Sequence, residues 1–534
     1  MSANLAALLH AQAAARPHHP ALLTPNQPPI TFAALHTATQ QGAAWLLQAG
    51  LRPGDAVLVY QPISADLYVA LGALFHAGMT VVFIDPGMRG EQLDRAANAL
   101  SPRGFLATQR AHLLRLLSPA IRRIPVKFST GQWPLPGARR WHQYTRFAVS
   151  DAPPMAVCHE DTPALITVTS GSTGTPKFAT RSHGFLRRQH HAIDASLVMD
   201  AESVVATTLP IFILSFLALG VTTLLPDLDL RRPGQVKVAP LLTQMAQAGV
   251  NTLASSPALL DQMARYCAES KTQLPQIRQV YTGGAPVFVD LMDEVAATMP
   301  QARFHAVYGA TEAEPIATLD RASISAADRQ RMASGAGLLV GEPVPSLTVR
   351  VLPDRWGQAH NPYTLQEWDE LSLRGETGEI VVAGPHVLTT AYVGADSDEE
   401  ATLTKIAVGD QLWHRTGDAG YFDEQGRLWL VGRCVARLDR TLPDGTQRSL
   451  YPFSVESAAH TFPVVKHAAL IAQAGQWVLA LELYTPQRSA WVATLHDTLA
   501  WAGLDEIRIL PRMPVDKRHN AKIDYPALRR LLGE

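Results

Sequence analysis

Short apolar runs alternate with helix-like stretches along the first part of the chain. DAVLVYQP (55–62) reads as a buried strand, and SADLYVALGALFHAG (64–78) has helical spacing and ends on Gly78. TVVFIDP (80–86) reads as a second strand. This β-α-β rhythm predicts a parallel sheet covered by helices. It lapses over 120–160, where Pro, Arg and Trp occur without periodicity, and resumes at ALITVTS (164–170), NTLASSP (251–257) and QVYTGGAP (279–286). Each of these runs leads into a turn rich in Gly, Ser or Pro. In open α/β sheets such turns, at the carboxyl ends of strands, are where ligands bind. Over 345–430 the pattern changes to short strands and turns, such as GEIVVAGP (378–385), and the residues after it predict a small α+β unit.

The most apolar stretch, IFILSFLALGVTTLL (211–225), is bracketed by Pro210 and Pro226. It is shorter than the ~18–20 residues that span a bilayer, so it predicts a buried helix or a pocket wall, and no transmembrane segment is expected. The N-terminus lacks the basic start and clean cleavage site of a signal peptide and predicts an Ala-rich first helix.

A chain of 534 residues predicts several structural units, and 47% hydrophobic residues exclude a mainly disordered one. Lys and Arg total 46 against 47 Asp and Glu, a net charge of -1. With neither a basic excess nor a basic stripe evident, no nucleic-acid partner is expected. The cysteines, Cys158, Cys267 and Cys434, stand far apart and offer no disulfide or metal framework, which fits a reducing cytoplasm.

The strongest chemical signal is Thr169-Ser170-Gly171-Ser172-Thr173-Gly174-Thr175-Pro176-Lys177, directly after an apolar strand. Small residues let the backbone approach an anion, successive N–H groups can cradle phosphate oxygens, hydroxyls add donors, and Lys177 adds charge. It is not a Walker A loop, because Pro176 stands where that pattern needs its second Gly.

TSGSTGTPK closely resembles the phosphate loop of the adenylate-forming superfamily, which includes acyl-CoA synthetases, peptide-synthetase adenylation domains and luciferases. Further motifs of that family follow in order: Thr282-Gly283-Gly284-Ala285-Pro286, Tyr308-Gly309-Ala310-Thr311-Glu312, Arg415-Thr416-Gly417-Asp418, Gly432-Arg433 and Asn520-Ala521-Lys522. The resemblance implies an α/β fold: a large N-terminal domain of layered αβ sheets with a small β-rich subdomain, over 1–433, and a mobile α+β lid over 434–534. It implies ATP and Mg²⁺ as cofactors. Thr311 would bind phosphate, Glu312 would help hold Mg²⁺, Asp418 would accept the ribose hydroxyls, and Arg433 would contact ribose and phosphate and mark the hinge. Gly283, Gly284, Ala285, Tyr308, Gly309 and Ala310 would line the nucleotide site, and Lys522 would bridge the substrate carboxylate and the phosphate.

Finer features resemble one branch, the β-lactone synthetases of bacterial olefin biosynthesis: IDPGM (84–88), QRAHLLRLL (109–117), the 207–234 segment, YGATEAEP (308–315) and PVDKRHNAKI (514–523). That branch adenylates a long-chain 3-hydroxy acid, whose own hydroxyl then displaces AMP and closes a four-membered ring. Departures from the CoA-ligase pattern agree with this. Ile213 stands where many CoA ligases carry a gating His, and Val435 replaces the usual hinge Asp or Lys. Phe178 follows Lys177 where Gly is common, and it is expected to pack against the sheet. The alternative acceptors are CoA and a carrier-protein thiol. A third reading is a nucleotide-binding partner protein without catalysis, against which the retention of Lys177, Glu312, Asp418 and Lys522 argues.

Overall fold

The computed structural model describes residues 2–84, 88, 90–170, 176–228, 236–389, 403–442, 444–484, 491–516 and 522–533, with the backbone alone for 168–170 and 176–177. The fold is α/β and falls into two compact units. One comprises 1–231, 239–254 and 390–401, and the other 232–238, 255–389 and 402–534.

The first unit holds a seven-stranded sheet in the order Arg139–Arg140, Val126–Ser129, Gly104–Ala107, Ala56–Tyr60, Thr80–Phe83, Pro163–Ser170 and Pro176–Ser182. All its neighbours are parallel except the last pair. Parallel strands are covered on both faces, so the apolar runs at 56–60 and 80–83 are continuous rather than alternating. Thr31, Ser64 and Ser182 cap the helices Phe32–Gln48, Ala65–His76 and His183–Ser196, each hydroxyl accepting an N–H three residues on. Phe178 is buried in the core beside Leu58, Phe105 and Ile166, where a packing residue belongs.

Two local expectations are corrected. The 120–160 stretch is not uniformly loose: Val126–Ser129 is a full sheet strand, too short to show a period. The apolar 211–225 run is not one element. Pro210–Leu219 is a helix, Gly220 ends it at φ 75°, and Thr222–Leu224 returns as a strand beside Pro20–Leu23 and Val204–Thr207.

In the second unit, Gln279–Gly283 runs parallel to Arg303–Ala310. Antiparallel strands continue that sheet through Ala313–Asp320, Leu338–Pro343, Leu428–Arg433, Gln411–Phe422, Gly378–Ala383 and Thr348–Leu352, and Lys405–Val408 pairs with Gln411–Phe422. After Arg433 come the hairpin Leu438–Thr441/Gln447–Leu450 and a three-stranded sheet, Val465–Gln473, Gln476–Leu483 and Glu506–Leu510. The helices Pro452–Ala459 and Tyr525–Leu532 accompany them. Among the described residues no helix is long and apolar enough to cross a membrane.

Glu456 lies buried in that C-terminal part, accepting the Leu470 N–H and the Tyr525 hydroxyl at 3.0 Å each. Burial pushes its carboxyl up to about 7. The folded value lies above the ordinary carboxylate value, so this group's contribution to stability is complete below that ordinary value. It is lost as pH rises through about 7. Glu456→Gln is expected to remove about 3 kcal/mol of this pH dependence and to raise the melting temperature at pH 8. Thermal denaturation of both proteins from pH 5 to 8 checks this, and parallel profiles would overturn it.

Candidate active site

Gly283 and Gly284 end the Gln279–Gly283 strand for steric reasons. A Cβ on Gly283 would lie 2.5 Å from the Val307 carbonyl oxygen of the neighbouring strand, and Gly284 has φ 80°. Thr282 ties this end down by donating its hydroxyl to the Ser255 carbonyl at 2.8 Å. The adjacent strand carries Tyr308, Gly309 and Ala310 to its own carboxyl end. Ala310 pairs with Ala313, which leaves Thr311 and Glu312 as the two residues of a hairpin tip. Glu312 therefore sits on a β-turn, not at the helix start that such a carboxylate suggests in isolation. The tip is held from the side, where Leu388 donates its N–H to the Glu312 carbonyl at 2.7 Å and Ala313 bridges Val387.

Arg415-Thr416-Gly417-Asp418 lies within the long strand Gln411–Phe422, not in a turn. Its pairing with Gly378–Ala383 slips: Glu379 faces Ala419 while Val381 faces Arg415. The surplus residues form a bulge, which re-aims side chains locally. Gly417 fits there at φ 68°, where a Cβ would lie 2.8 Å from the Trp356 ring. The bulge points Asp418 at two partners. Its Oδ1 accepts from Arg433 Nη1 at 2.8 Å, and its Oδ2 accepts from the Tyr308 hydroxyl at 2.8 Å. Asp418 and Arg433 face each other across adjacent strands, which places the ion pair. Burial, then the Asp418 carboxylate, pushes the Tyr308 hydroxyl well above its ordinary value, so it stays a donor. Three sequence-predicted residues, Tyr308 standing 110 positions before Asp418, thus meet in one cluster.

Behind the bulge, Arg415 and Glu379 form a buried ion pair at 2.6 Å, their side chains 0% and 1% exposed. The guanidinium also donates to the carbonyls of Gln358, Leu403 and Arg355. Burial raises the Glu379 carboxyl, with Arg415 opposing. Lys405 nearby is half-buried. It donates to the Leu388 carbonyl and to His414 Nδ1. Burial lowers its ammonium to about 8, against the pull of the Glu312 carboxylate. His414 is held well below its ordinary value by burial and by Lys405, so its ring is neutral and can accept. Sequence reasoning missed Glu379, Lys405 and His414. The signal for Glu379 was an acid inside the apolar run GEIVVAG; Lys405 carried none.

Lys522 lies at the end of a short antiparallel connection. Its N–H donates to Asp516 Oδ1 at 3.0 Å, its carbonyl accepts from the Asp516 N–H at 2.8 Å, and Val515 bridges Ile523. Asp524 then caps the helix Tyr525–Leu532, and the Tyr525–Glu456 bond anchors that helix. Thr169, Ser170 and Lys177 belong to the first unit, paired across two antiparallel strands, Thr169 opposite Lys177. Gly171, Ser172, Thr173, Gly174, Asn520 and Ala521 lie outside the described residues. Ala285 follows Gly284 in the loop before helix Val289–Thr298.

Removing one member of the buried pair strands the other charge. Glu379→Ala is expected to lower the unfolding free energy by about 3–5 kcal/mol. Urea denaturation measures it; a loss under about 1 kcal/mol would mean that the bulge stands without the pair.

The AMP-binding enzyme family matches residues 9–392. An olefin β-lactone synthetase of Stenotrophomonas maltophilia is 31% identical over 515 residues, covering 92% of this chain and 89% of that protein. A 4-coumarate–CoA ligase of Nicotiana tabacum is 25% identical, covering 76% of this chain and 71% of that protein. Among solved structures, the amide bond synthetase McbA from Marinactinospora thermotolerans superposes with a TM-score of 0.78 at 21% identity, covering 99% of each chain. The ordered motifs, the Tyr308–Asp418–Arg433 cluster and these likenesses converge: the chain belongs to the AMP-binding family and is an adenylate-forming enzyme.

Proposed function

We propose that this enzyme uses ATP and Mg²⁺ to adenylate a fatty-acid-like carboxylate, a long-chain 3-hydroxy acid, and then closes the acyl-adenylate to a β-lactone. The observation that carries the reading is the 31% identity to an olefin β-lactone synthetase along 92% of the chain. In the first step a carboxylate oxygen attacks the α-phosphorus and pyrophosphate leaves. In the second the substrate's hydroxyl oxygen attacks the acyl carbon, loses its proton, and AMP leaves. The mixed anhydride supplies the driving force for the strained ring, and the tethered hydroxyl makes the attack unimolecular.

The chain's own residues divide the work. Two anions must meet, so charge neutralisation and positioning dominate. The loop 169–177, with Lys177, would hold phosphate oxygens, and the Thr311 hydroxyl would add a donor from the hairpin tip. Asp418 would accept from the ribose hydroxyls. Tyr308 and Arg433 each take one lone pair on a separate oxygen of that carboxylate, which fixes its plane and leaves acceptor capacity. Glu312 suits a hard cation, because it is an oxygen-donor carboxylate on the hairpin tip, and Mg²⁺ is commonly held by one or two carboxylates together with substrate phosphates. When bound, the ion would neutralise phosphate charge. Residues 434–534 would act as the lid that brings Lys522 to the reacting oxygens.

A second reading, transfer to CoA or a carrier-protein thiol, has support from the CoA ligases among the relatives. Two positions favour the lactone. Ile213, where a gating His is common in CoA ligases, is a fully buried aliphatic residue on the helix Pro210–Leu219. Val435, at the hinge position, is 70% exposed and carries no charge.

Incubation with ATP, Mg²⁺ and a long-chain 3-hydroxy acid is expected to give, without CoA, a product lighter than the acid by one water, with AMP and pyrophosphate released. Mass spectrometry reads this, and a product that forms only with CoA, as a thioester, would overturn the lactone step. Lys522→Ala is expected to slow pyrophosphate release by about a hundredfold or more without shifting the melting temperature, since Lys522 is exposed. An unchanged rate of pyrophosphate release would remove Lys522 from the adenylation step.

A further inference from the structure

Between Asp94 and Asp151 the chain contains no Asp or Glu, while Arg95, Arg103, Arg110, Arg115, Arg122, Arg123, Lys127, Arg139, Arg140 and Arg146 fall within it. The near-neutral total of the whole chain conceals this segment, and the expectation that the sequence lacks a basic stripe is corrected here. The segment belongs to the first unit, and part of it folds into one surface. The turns Arg110–Leu113 and Leu114–Leu117 lie beside the 131–138 loop: the Gln109 side chain rests against Gly131, and Arg115 Nη1 donates to the Pro136 carbonyl at 2.9 Å.

That surface projects large apolar side chains. Leu113, Leu116 and Leu117 are 63%, 75% and 81% exposed, and Trp133 is 72% exposed. Trp133 borders a shallow cleft with Gln132, Arg140 and His142. Arg110, Arg122, Arg123 and Arg140 are exposed and form no ion pair among the described residues. The acids near the surface are engaged elsewhere. Asp66 pairs with His142, Asp94 accepts from Ser118, and Glu91 pairs with Arg95.

Leucines and a tryptophan set among unpaired arginines make an amphipathic surface that fits a negatively charged lipid headgroup layer. The apolar side chains partition into the interface while the guanidinium groups meet phosphate. A stable protein interface engages about 20–30 residues a side, far more than project here. Nucleic acid would leave the three aliphatic side chains without a role. We propose that this face docks the enzyme peripherally on an anionic bilayer, independently of which acid the active site takes.

The test is co-sedimentation of the full chain with phosphatidylcholine vesicles, with and without a phosphatidylglycerol fraction. Binding is expected with the anionic vesicles and is expected to weaken several-fold as salt is raised. Leu116→Glu/Leu117→Glu is expected to cut binding by about tenfold, and Arg122→Ala/Arg123→Ala by about threefold or more. Pyrophosphate release with soluble substrate and the melting temperature should be unchanged in both. Absence of wild-type binding, or equal binding by the leucine variant, would overturn the proposal. So would a drop in oligomeric mass of the leucine variant without lipid, which would assign the face to a protein contact.

Discussion

The Arg415–Glu379 pair is the constraint around which the candidate site is built. A guanidinium and a carboxylate with no solvent exposure cannot be separated cheaply, because each would remain charged in a medium that solvates it poorly. Arg415 also donates to three backbone carbonyls, those of Gln358, Leu403 and Arg355. One side chain therefore fixes the 355–358 turn, Leu403 and the Gly378–Ala383 strand relative to the bulged strand. The bulge can then hold Gly417 at a positive φ and turn Asp418 outward. The ion pair and the Thr416 hydroxyl bond to the Ile380 carbonyl pin both sides of the bulge.

The outward-facing cluster and the buried pair answer different demands. Glu379 is raised by burial and committed to Arg415 and the Gly417 N–H, whereas Asp418 is 14% exposed and holds two neutral or cationic donors without using all of its lone pairs. A carboxylate with spare acceptor capacity and a fixed plane is suited to a pair of vicinal hydroxyls. Lys405 belongs to the same logic on the other side. Its bond to the Leu388 carbonyl, and Leu388's own bond to the Glu312 carbonyl, tie a half-buried ammonium to the backbone of the hairpin tip. The Glu312 backbone is thereby held near a positive charge that attracts its carboxylate.

The parallel strands of the first unit were legible because they are buried on both faces, and apolar runs such as VLVY need no partner information to be read. The helix Ala65–His76 was legible through the helical spacing of its apolar residues and the Gly78 that follows it. Val126–Ser129 was not, because four residues carry no period, and only its neighbours Gly104–Ala107 and Arg139–Arg140 make it a strand. Gly417 taken by itself signals a turn at Asp418. The positive φ is real, but it serves a bulge, and a bulge exists only relative to the opposite strand.

The sequence by itself determined the chemistry available: a strand followed by a small-residue loop with Lys177, glycines at 283 and 284, the Thr311-Glu312 pair, Asp418, Arg433 and a late Lys522. Those residue types at those spacings depend on local backbone freedom and side-chain charge, which a linear string records. Tertiary structure alone decided that Tyr308 and Arg433 grip opposite oxygens of Asp418, that Glu379 neutralises Arg415, that Lys405 is half-buried near Glu312, and that the acid-free segment presents its leucines outward. Each is a matter of which distant residues share a low-dielectric space or a solvent face, and that follows from strand register and packing across tens to hundreds of positions rather than from any local pattern.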